Sequence, residues 1–185
     1  MWNYRLQCER KLQERNMQED GTAASADTLR ARNRDTLIEL MTLMKTLDHS
    51  KPSAAAGGYA KGQYPDFYNA EGRLEIPFLP AGLRKYRQGR EEHAADAEMR
   101  FNLFQESRWT TPFEIHDFLD PNKFLLFVSG ENMTRGGKSY SNDYAFFAIF
   151  RDGKLDLLRE MVDPARASIL MDEIPDNDLF KNNVG

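Results

Sequence analysis

The chain has 185 residues, of which 41% are apolar and 29% charged, and its net charge at pH 7 is -4. These totals fit one globular domain with a hydrophobic core and exclude a largely disordered chain. An acidic chain whose basic residues are scattered gives no electrostatic reason to expect a nucleic acid partner.

Cysteine and histidine are scarce. Cys8 is the only cysteine, so an intrachain disulfide is excluded, and one thiol with three histidines offers no metal-ligand spacing. The first 20 residues alternate charged and apolar side chains, unlike a signal peptide, and no apolar run reaches membrane-spanning length. We therefore expect a soluble cytoplasmic protein with no metal and no membrane partner.

The N-terminal part reads as helical. Residues 1–20 are helix-prone and GTAAS at 21–25 interrupts them, so residues 1–26 are predicted to be a helical extension or arm. Asp27 is a good N-cap for a stronger helix, and residues 49–63, rich in Pro, Gly and small side chains, predict a loop. The apolar positions at helical spacing in the stronger helix are Leu29, Leu37, Leu40, Met41, Met44 and Leu47.

A short strand and a second helix follow. Leu74, Ile76 and Phe78 alternate with other residues, which predicts a strand ending at a proline-rich turn. Gly89-Arg90 precedes the second helix. Its predicted apolar stripe consists of Ala94, Ala97, Phe101 and Phe104.

From Trp109 onward the pattern is that of β-strands. Phe113–Phe118 predicts one strand, Asp-Pro-Asn at 120–122 a turn, and residues 123–132 the next strand. The glycines at 136–137 indicate another turn. Helices first and antiparallel strands afterwards predict an α+β fold over residues 27–172, with 173–185 as a C-terminal tail.

Two strands, Tyr144–Phe150 and Leu155–Val162, should form a hairpin, because Asp152-Gly153 is a strong two-residue turn signal. Regular pairing from that turn places Phe147 opposite Leu158 and Ala145 opposite Glu160, and opposed residues share a face. One predicted face then holds Ala145, Phe147, Ile149, Leu158, Glu160 and Val162. The other holds Tyr144, Phe146, Ala148, Phe150, Leu155, Leu157 and Met161.

Both faces of this hairpin are apolar, so two things should cover them. The helices cover one face, and a second subunit is the simplest cover for the other. The sequence therefore predicts a homodimer through the face of Tyr144, Phe146 and Phe150.

Glu160 is the exceptional residue of the helix-covered face. A buried carboxylate either finds a partner or stays neutral with a raised pKa, and the second state suits proton transfer near neutral pH. Two interpretations therefore stand. Glu160 is an acid/base group, or it pairs with an arginine such as Arg90 or Arg100 and ties helix to sheet.

Four segments in order carry a resemblance: LEIPFLPAG at 74–82, GREEH at 89–93, DPNKFLLFVSGE at 120–131 and DGKLDLLREMVDP at 152–164. Together they resemble the SnoaL-like branch of the nuclear-transport-factor-2-like fold, and within it the phenazine-biosynthesis A/B proteins. The resemblance covers roughly residues 27–170. It implies a cone: a curved, mostly antiparallel sheet wrapped around the N-terminal helices, with a pocket in its mouth and dimerisation through the outer sheet face.

The resemblance also implies a site. A glutamate of the last strand and a histidine on the helix after Gly-Arg are the acid/base groups of the phenazine A/B proteins. Glu160 matches the glutamate, whereas Asp96 stands at the histidine's position and His93 lies one turn earlier. His93 either reaches the pocket from that turn or faces solvent.

The catalytic candidates are thus Glu160, His93 and Asp96. The epoxide hydrolases of this fold need an arginine that the strand at Val128–Asn132 lacks, although Glu131 remains a candidate second carboxylate. The substrate-binding candidates are Phe78, Phe104, Trp109, Glu131, Ala145, Phe147, Leu158 and Val162.

The fold hosts several functions, so competing hypotheses stay open. The first is an enzyme of specialised metabolism that transfers protons on a small carbonyl or imine compound without any cofactor, in a condensation, cyclisation, isomerisation or dehydration. The second is a non-catalytic small-molecule binder or pathway chaperone. The third is an interaction module whose cone is filled with side chains.

Overall fold

The computed structural model describes residues 26–44, 47–48 and 63–181. The arm and most of the loop expected at 1–26 and 49–63 therefore lie outside the described residues. The elements are α1 (residues 26–44), β1 (Leu47–Asp48), a 3₁₀ helix (Tyr64–Phe67), β2 (Tyr68–Glu75), β3 (Tyr86–Gln88), α2 (Gly89–Leu103), β4 (Phe104–Trp109), β5 (Glu114–Asp117), β6 (Lys123–Thr134), β7 (Ser139–Arg151), β8 (Lys154–Met161), α3 (Pro164–Ala167) and a second 3₁₀ helix (Ser168–Leu170).

The strands form one curved, open sheet in the order β1-β4-β6-β7-β8-β2-β3, with β5 paired to β6. Every pairing is antiparallel except that of β2 with β8, which is parallel. The α+β class and the mostly antiparallel sheet are thus confirmed. The model is a single chain and leaves the predicted dimer untested.

The helices pack on the concave, inner face of the sheet. The helical spacing noted in α1 puts Leu37, Leu40, Met41 and Met44 on its buried side, each at most 1% exposed. Leu47, predicted in the same helix, lies in β1 instead. This side meets Phe124, Leu126, Phe146 and Leu158 of the sheet in one continuous core.

Helix α2 differs from its predicted stripe. Ala94 is exposed, and Phe104 is the first residue of β4, a strand that the sequence pattern did not reveal. The buried residues of α2 are His93, Asp96, Ala97 and Leu103. Two of these four are polar, so apolar spacing alone could not identify the inner side of this helix.

The β7–β8 hairpin begins as predicted and then departs from the expected register. Asp152 and Gly153 both have positive φ, 54° and 79°, and Phe150 pairs with Leu155. The next pair is Ile149 with Leu157, so Asp156 is an extra residue, a β-bulge on β8. Its carboxylate accepts hydrogen bonds from Asn69 Nδ2 at 2.6 Å and Arg151 Nη2 at 2.8 Å.

Because side chains alternate along a strand, one extra residue exchanges the faces of everything beyond it. Glu160 lies opposite Phe146, not Ala145, and both point inward. The predicted face of Glu160 was correct, but the predicted faces of β7 were wrong. Tyr144, Phe146 and Phe150 are buried within the chain, at most 5% exposed. These three residues therefore do not form the exposed face that the prediction assigned to a partner, and dimerisation itself stays a prediction.

The opposite, outer face of β6 and β7 carries apolar side chains that stay partly exposed. Phe127 pairs with Ala145 and Leu125 with Phe147 across the two strands. Phe127 is 40% exposed, and Leu125, Ala145, Phe147 and Ile149 are half-buried. We call these five residues the outer patch.

The C-terminal segment lies against the domain as far as the structure describes it. Lys138 Nζ, on the β6–β7 turn, donates to Ile169 O at 3.2 Å and Asp172 Oδ2 at 3.0 Å. At the other end Arg84 N donates to Phe180 O at 2.9 Å, and Phe180 is 5% exposed. Residues 173–181, assigned to a tail from the sequence, thus pack on the domain.

Within the described residues no helix has the length and apolar character that crossing a bilayer requires.

Candidate active site

A cavity of about 80 Å³ lies between α2, the inner faces of β4, β7 and β8, and the C-terminal segment. Most of its wall is apolar. The C-terminal segment contributes Ala167, Leu170, Ile174 and Phe180 to this wall. A mostly apolar lining with a few polar groups is that of a small-molecule site, and the volume lies below the roughly 300–1,000 Å³ of typical ligand pockets.

Four charged side chains line this cavity and form a chain. Arg100 Nε contacts Asp96 Oδ2 at 2.8 Å, and Arg100 Nη2 contacts Glu160 Oε2 at 3.1 Å. Arg87 Nε lies 3.2 Å from Asp96 Oδ1. The four side chains are between 1% and 13% exposed, so these pairs are shielded from solvent.

The local sequence explains why the chain of charges forms. Asp96 and Arg100 are four residues apart on α2 and so lie on the same side of the helix. Gly89, at φ 78°, turns the backbone from β3 into that helix, and Gln88 N donates to Glu92 Oε2 at 2.8 Å in its first turn. This turn brings Arg87, the inward residue of β3, to Asp96.

Glu160 has one bound and one unbound oxygen. Oε2 accepts from Arg100 Nη2, whereas Oε1 makes no hydrogen bond to any residue that the structure describes. Glu160 is 4% exposed and lines the cavity. Of the two interpretations of the sequence, the pair with Arg100 is present, and the pair with Arg90 is not, since Arg90 contacts Asp66. The pair leaves Oε1 available to a bound molecule.

Arg87 is buried with incomplete hydrogen bonding. Its Nη1 donates to Arg84 O at 2.9 Å and Tyr86 O at 2.8 Å, whereas Nε is buried with no hydrogen bond. Its approach to Asp96 Oδ1 lacks hydrogen-bond geometry, and Oδ1 has no hydrogen bond either. Burial lowers the pKa of Arg87 from its ordinary value, and the Asp96 carboxylate opposes this shift.

Two tyrosines add hydroxyl groups to the polar part of the wall. Burial raises the pKa of both Tyr140 and Tyr144, so their hydroxyls stay protonated at neutral pH. Asn142 Nδ2 donates to Tyr140 Oη at 2.9 Å and to Asp163 O at 3.2 Å. The Tyr140 hydroxyl is thus oriented by a neighbouring side chain on the same face of β7.

His93 is buried rather than solvent-facing, with no exposed surface. Its ring stacks on Tyr68 at 3.8 Å between centroids, and Nε2 lies 2.9 Å from Gly72 O. Burial is the main cause that lowers its pKa. His93 does not line the cavity. The structure therefore links Glu160 and Asp96 through Arg100 at the cavity wall and places His93 outside that wall, although the Asp96 carboxylate still opposes the lowering of the His93 pKa.

The predicted substrate-binding residues divide into two groups. Phe104, Trp109 and Val162 line the cavity. Leu158 is fully buried in the core but outside the cavity wall. Phe78 is 53% exposed, Glu131 pairs with Arg108 at the surface, and Ala145 and Phe147 belong to the outer patch. Ala145 and Phe147 were expected on the inner face because the predicted pairing lacked the Asp156 bulge.

Sequence reasoning missed several cavity residues. Arg87 was overlooked because a charged residue in a short segment is normally assigned to the surface. Tyr144 lay on the face assigned to a partner, Tyr140 lay before the predicted strand, and Leu170 and Phe180 lay at or beyond the predicted end of the domain. The alternation of β7, from Tyr140 to Phe150, was a usable signal once the bulge was known.

The described residues hold no group of three or more His, Cys, Asp and Glu side chains placed to bind a metal ion.

Known structures identify the fold. A phenazine-biosynthesis-related protein of Pseudomonas aeruginosa superposes with a TM-score of 0.62 at 18% identity, covering 88% of this chain and 98% of that one. A nuclear-transport-factor-2-like protein of Burkholderia xenovorans gives 0.57 at 15% identity, covering 75% and 95%. AusH of Aspergillus nidulans gives 0.51 at 15% identity, covering 72% and 84%. No protein-family model and no curated protein sequence matches this chain.

Proposed function

We propose that this chain, which has the nuclear-transport-factor-2-like fold that its sequence resembles, is a small-molecule enzyme of specialised metabolism. It performs cofactor-free acid/base chemistry on a carbonyl or imine compound bound in the cavity. The reaction is a condensation, cyclisation, isomerisation or dehydration, each of which needs a proton removed at one atom and delivered at another.

The observation that carries this proposal is the carboxylate of Glu160, buried at an apolar cavity with Oε1 unbound. Oε1 accepts the proton of an acidic C–H or N–H group, and Arg100 holds the carboxylate in place through Oε2. A water-poor wall strengthens each electrostatic contact with the reacting atoms.

In this proposal Asp96 is a positioning residue rather than a second base. It lies between Arg87 and Arg100 and holds both guanidinium groups at the cavity wall. His93 has a packing role beside Tyr68 and takes no part in proton transfer.

The cavity bears differently on the two alternative functions, the interaction module and the non-catalytic binder. A filled cone acting as a pure interaction module is disfavoured, because a cavity lies beside Glu160. A non-catalytic binder or pathway chaperone would use the same cavity and leave Glu160 as an ion-pair partner only. The name of the Pseudomonas protein, phenazine-biosynthesis-related, supports specialised metabolism without choosing between enzyme and binder.

Proton exchange distinguishes the enzyme from the binder. Acetophenone, a ketone with exchangeable methyl protons, is incubated with the protein in D₂O, and deuterium uptake is followed by NMR. Glu160→Gln keeps the side-chain shape and removes the base, so the protein-dependent rate should fall by about 10²–10⁴-fold. Glu131→Gln, at the surface, is the matched control and should leave the rate unchanged.

A rate that survives Glu160→Gln within about tenfold contradicts the role of Glu160. Saturable binding of acetophenone with no exchange above buffer, in wild type, supports the binder instead.

A further inference from the structure

The cavity wall contains a cation whose hydrogen bonding is incomplete on one side. Arg87 Nε faces Asp96 Oδ1 at 3.2 Å without hydrogen-bond geometry, Nη1 donates to two backbone carbonyls, and Nη2 makes no hydrogen bond to any described residue. A buried donor without an acceptor is costly, so a molecule that binds beside Nη2 would satisfy it.

Arg87 is also held rigidly. The two backbone carbonyls fix one edge of its guanidinium group, and the ring of Phe180 lies 5.0 Å from Cζ on one face. The planar group thus has a fixed orientation and little freedom to turn toward solvent. A fixed donor with an open edge is suited to bind one acceptor oxygen in a defined position.

The charges around the cavity balance. Among the residues that line it, Arg87 and Arg100 are positive, and Asp96 and Glu160 are negative. A bound carboxylate or ammonium group would leave one buried charge uncompensated, which is costly in an enclosed site. A neutral acceptor such as a carbonyl oxygen satisfies the donor without changing the balance.

The rest of the wall is apolar and aromatic. Leu83, Met99, Leu103, Phe104, Trp109 and Phe146 are among its members. A ligand that matches this wall is mostly hydrocarbon, with its polar atoms confined to the end near Arg87 and Glu160.

We propose that the ligand of this cavity is a neutral, largely apolar carbonyl compound whose oxygen is bound by the Arg87 guanidinium group. Arg87 then polarises the carbonyl group of the bound molecule. This proposal rests on the proposed function because it concerns the same cavity. It makes a separate claim about binding, which holds whether or not turnover follows.

Three single-ring probes test it by calorimetric or NMR titration: acetophenone, ethylbenzene and benzoate. They share a size and differ in bearing a neutral carbonyl, no oxygen, or a charged carboxylate. The deciding quantity is the ratio of the acetophenone and ethylbenzene dissociation constants, because it cancels general changes in cavity packing.

The test variant is Arg87→Met with Asp96→Asn, which removes one charge of each sign and keeps the balance. In this variant the acetophenone dissociation constant should rise about tenfold or more relative to that of ethylbenzene. A loss of this size is expected when a hydrogen bond to a charged donor is removed. The matched control is Arg108→Met with Glu131→Gln, which removes an exposed ion pair outside the cavity wall. The control should keep the wild-type ratio within about twofold. In wild type, benzoate should bind at least about tenfold more weakly than acetophenone.

A ratio that moves less than threefold in the test variant overturns the proposal, as does wild-type protein that fails to bind acetophenone at millimolar concentration. Benzoate binding as tight as acetophenone overturns the assignment of a neutral ligand. If the test variant does not fold, the ¹³C carbonyl resonance of acetophenone bound to wild type decides. A shift downfield of its position in water supports a charged donor, and an upfield shift overturns it.

The two proposals are distinguished by measuring binding and exchange on the same wild-type protein. Acetophenone that binds without deuterium exchange contradicts the enzyme and leaves the Arg87 assignment standing. An unchanged binding ratio removes the Arg87 assignment and leaves the role of Glu160 standing.

Discussion

The two faces of β6 and β7 place similar side chains in opposite surroundings. On the inner face Tyr144 and Phe146 stack at 5.8 Å between ring centroids, at most 5% exposed, beside a buried chain of four charges. On the outer face Phe127 and Phe147 remain partly exposed, and the ion pair of Arg108 with Glu131 is 75% and 51% exposed. The same residue types therefore serve a cavity on one side and a surface on the other.

The difference teaches that burial, rather than residue type, decides what a charged pair contributes. Removing one partner of an exposed ion pair changes the free energy of unfolding little, because water solvates the charge that remains. Removing one partner of a buried ion pair lowers the free energy of unfolding much more, because the remaining charge has neither a partner nor water.

The largest expected effect tests this contrast directly. Asp96→Asn leaves Arg87 and Arg100 without the carboxylate that lies between them, so the free energy of unfolding should fall by about 3–5 kcal/mol. Glu131→Gln removes the exposed partner of Arg108 and should change it by less than about 1 kcal/mol. Urea denaturation of both variants at pH 7 measures the two values. Equal losses would show that the Asp96 site is open to water.

Much of the fold was predictable from the sequence, for local reasons. The spacing of Leu37, Leu40 and Met44 identified the buried side of α1, and Asp152-Gly153 identified the hairpin turn. Both signals depend only on residues close together in the chain. The inward position of Glu160 was also predicted, although the pairing used to reach it was one residue out of register.

The parts that were not predictable depend on distant contacts. The bulge at Asp156 is accompanied by a hydrogen bond from Asn69, which lies 87 residues earlier, so no local pattern announces it. Arg87 is recognisable as a cavity residue only once Asp96 and Phe180 are placed beside it. His93 lies one turn before Asp96, and only the structure shows that it contacts β2 and lies outside the cavity wall.

The outer patch is an apolar surface on an antiparallel sheet. We propose that the dimer expected from the sequence forms through this face, because an antiparallel sheet in a monomer normally presents polar residues to water. Phe127→Asp should raise the dimer dissociation constant by about 30-fold or more, the effect of losing an interface residue worth 2 kcal/mol.

Sedimentation at micromolar concentration measures this constant. The control is Ala94→Asp, which adds the same charge at an exposed position of α2. The control should remain dimeric. A wild-type protein that sediments as a monomer at this concentration would refute the dimer.

The smallest expected effect is the pH dependence that His93 adds to stability. Burial lowers its pKa in the folded chain, so the folded imidazole stays neutral where the unfolded one, with a pKa near 6.5, takes up a proton. The contribution is therefore fully present above about pH 6.5 and is lost as the pH falls through the lowered folded value. Between these pKa values the free energy of unfolding should decrease by up to about 1.4 kcal/mol per pH unit for this one proton.

His93→Gln removes the titrating group while its amide can still donate to Gly72 O, so its stability should depend less on pH from 6.5 downward. His116→Gln is the control, since His116 is exposed beside Glu114 and lies on β5 at the outer face. Urea denaturation at half-unit pH steps compares the slopes of the three proteins. If His93→Gln and wild type show the same slope, His93 is accessible to protons in the folded chain. The inner face would then admit water beside Tyr68, and the contrast between the two faces of the sheet would be smaller than the geometry indicates.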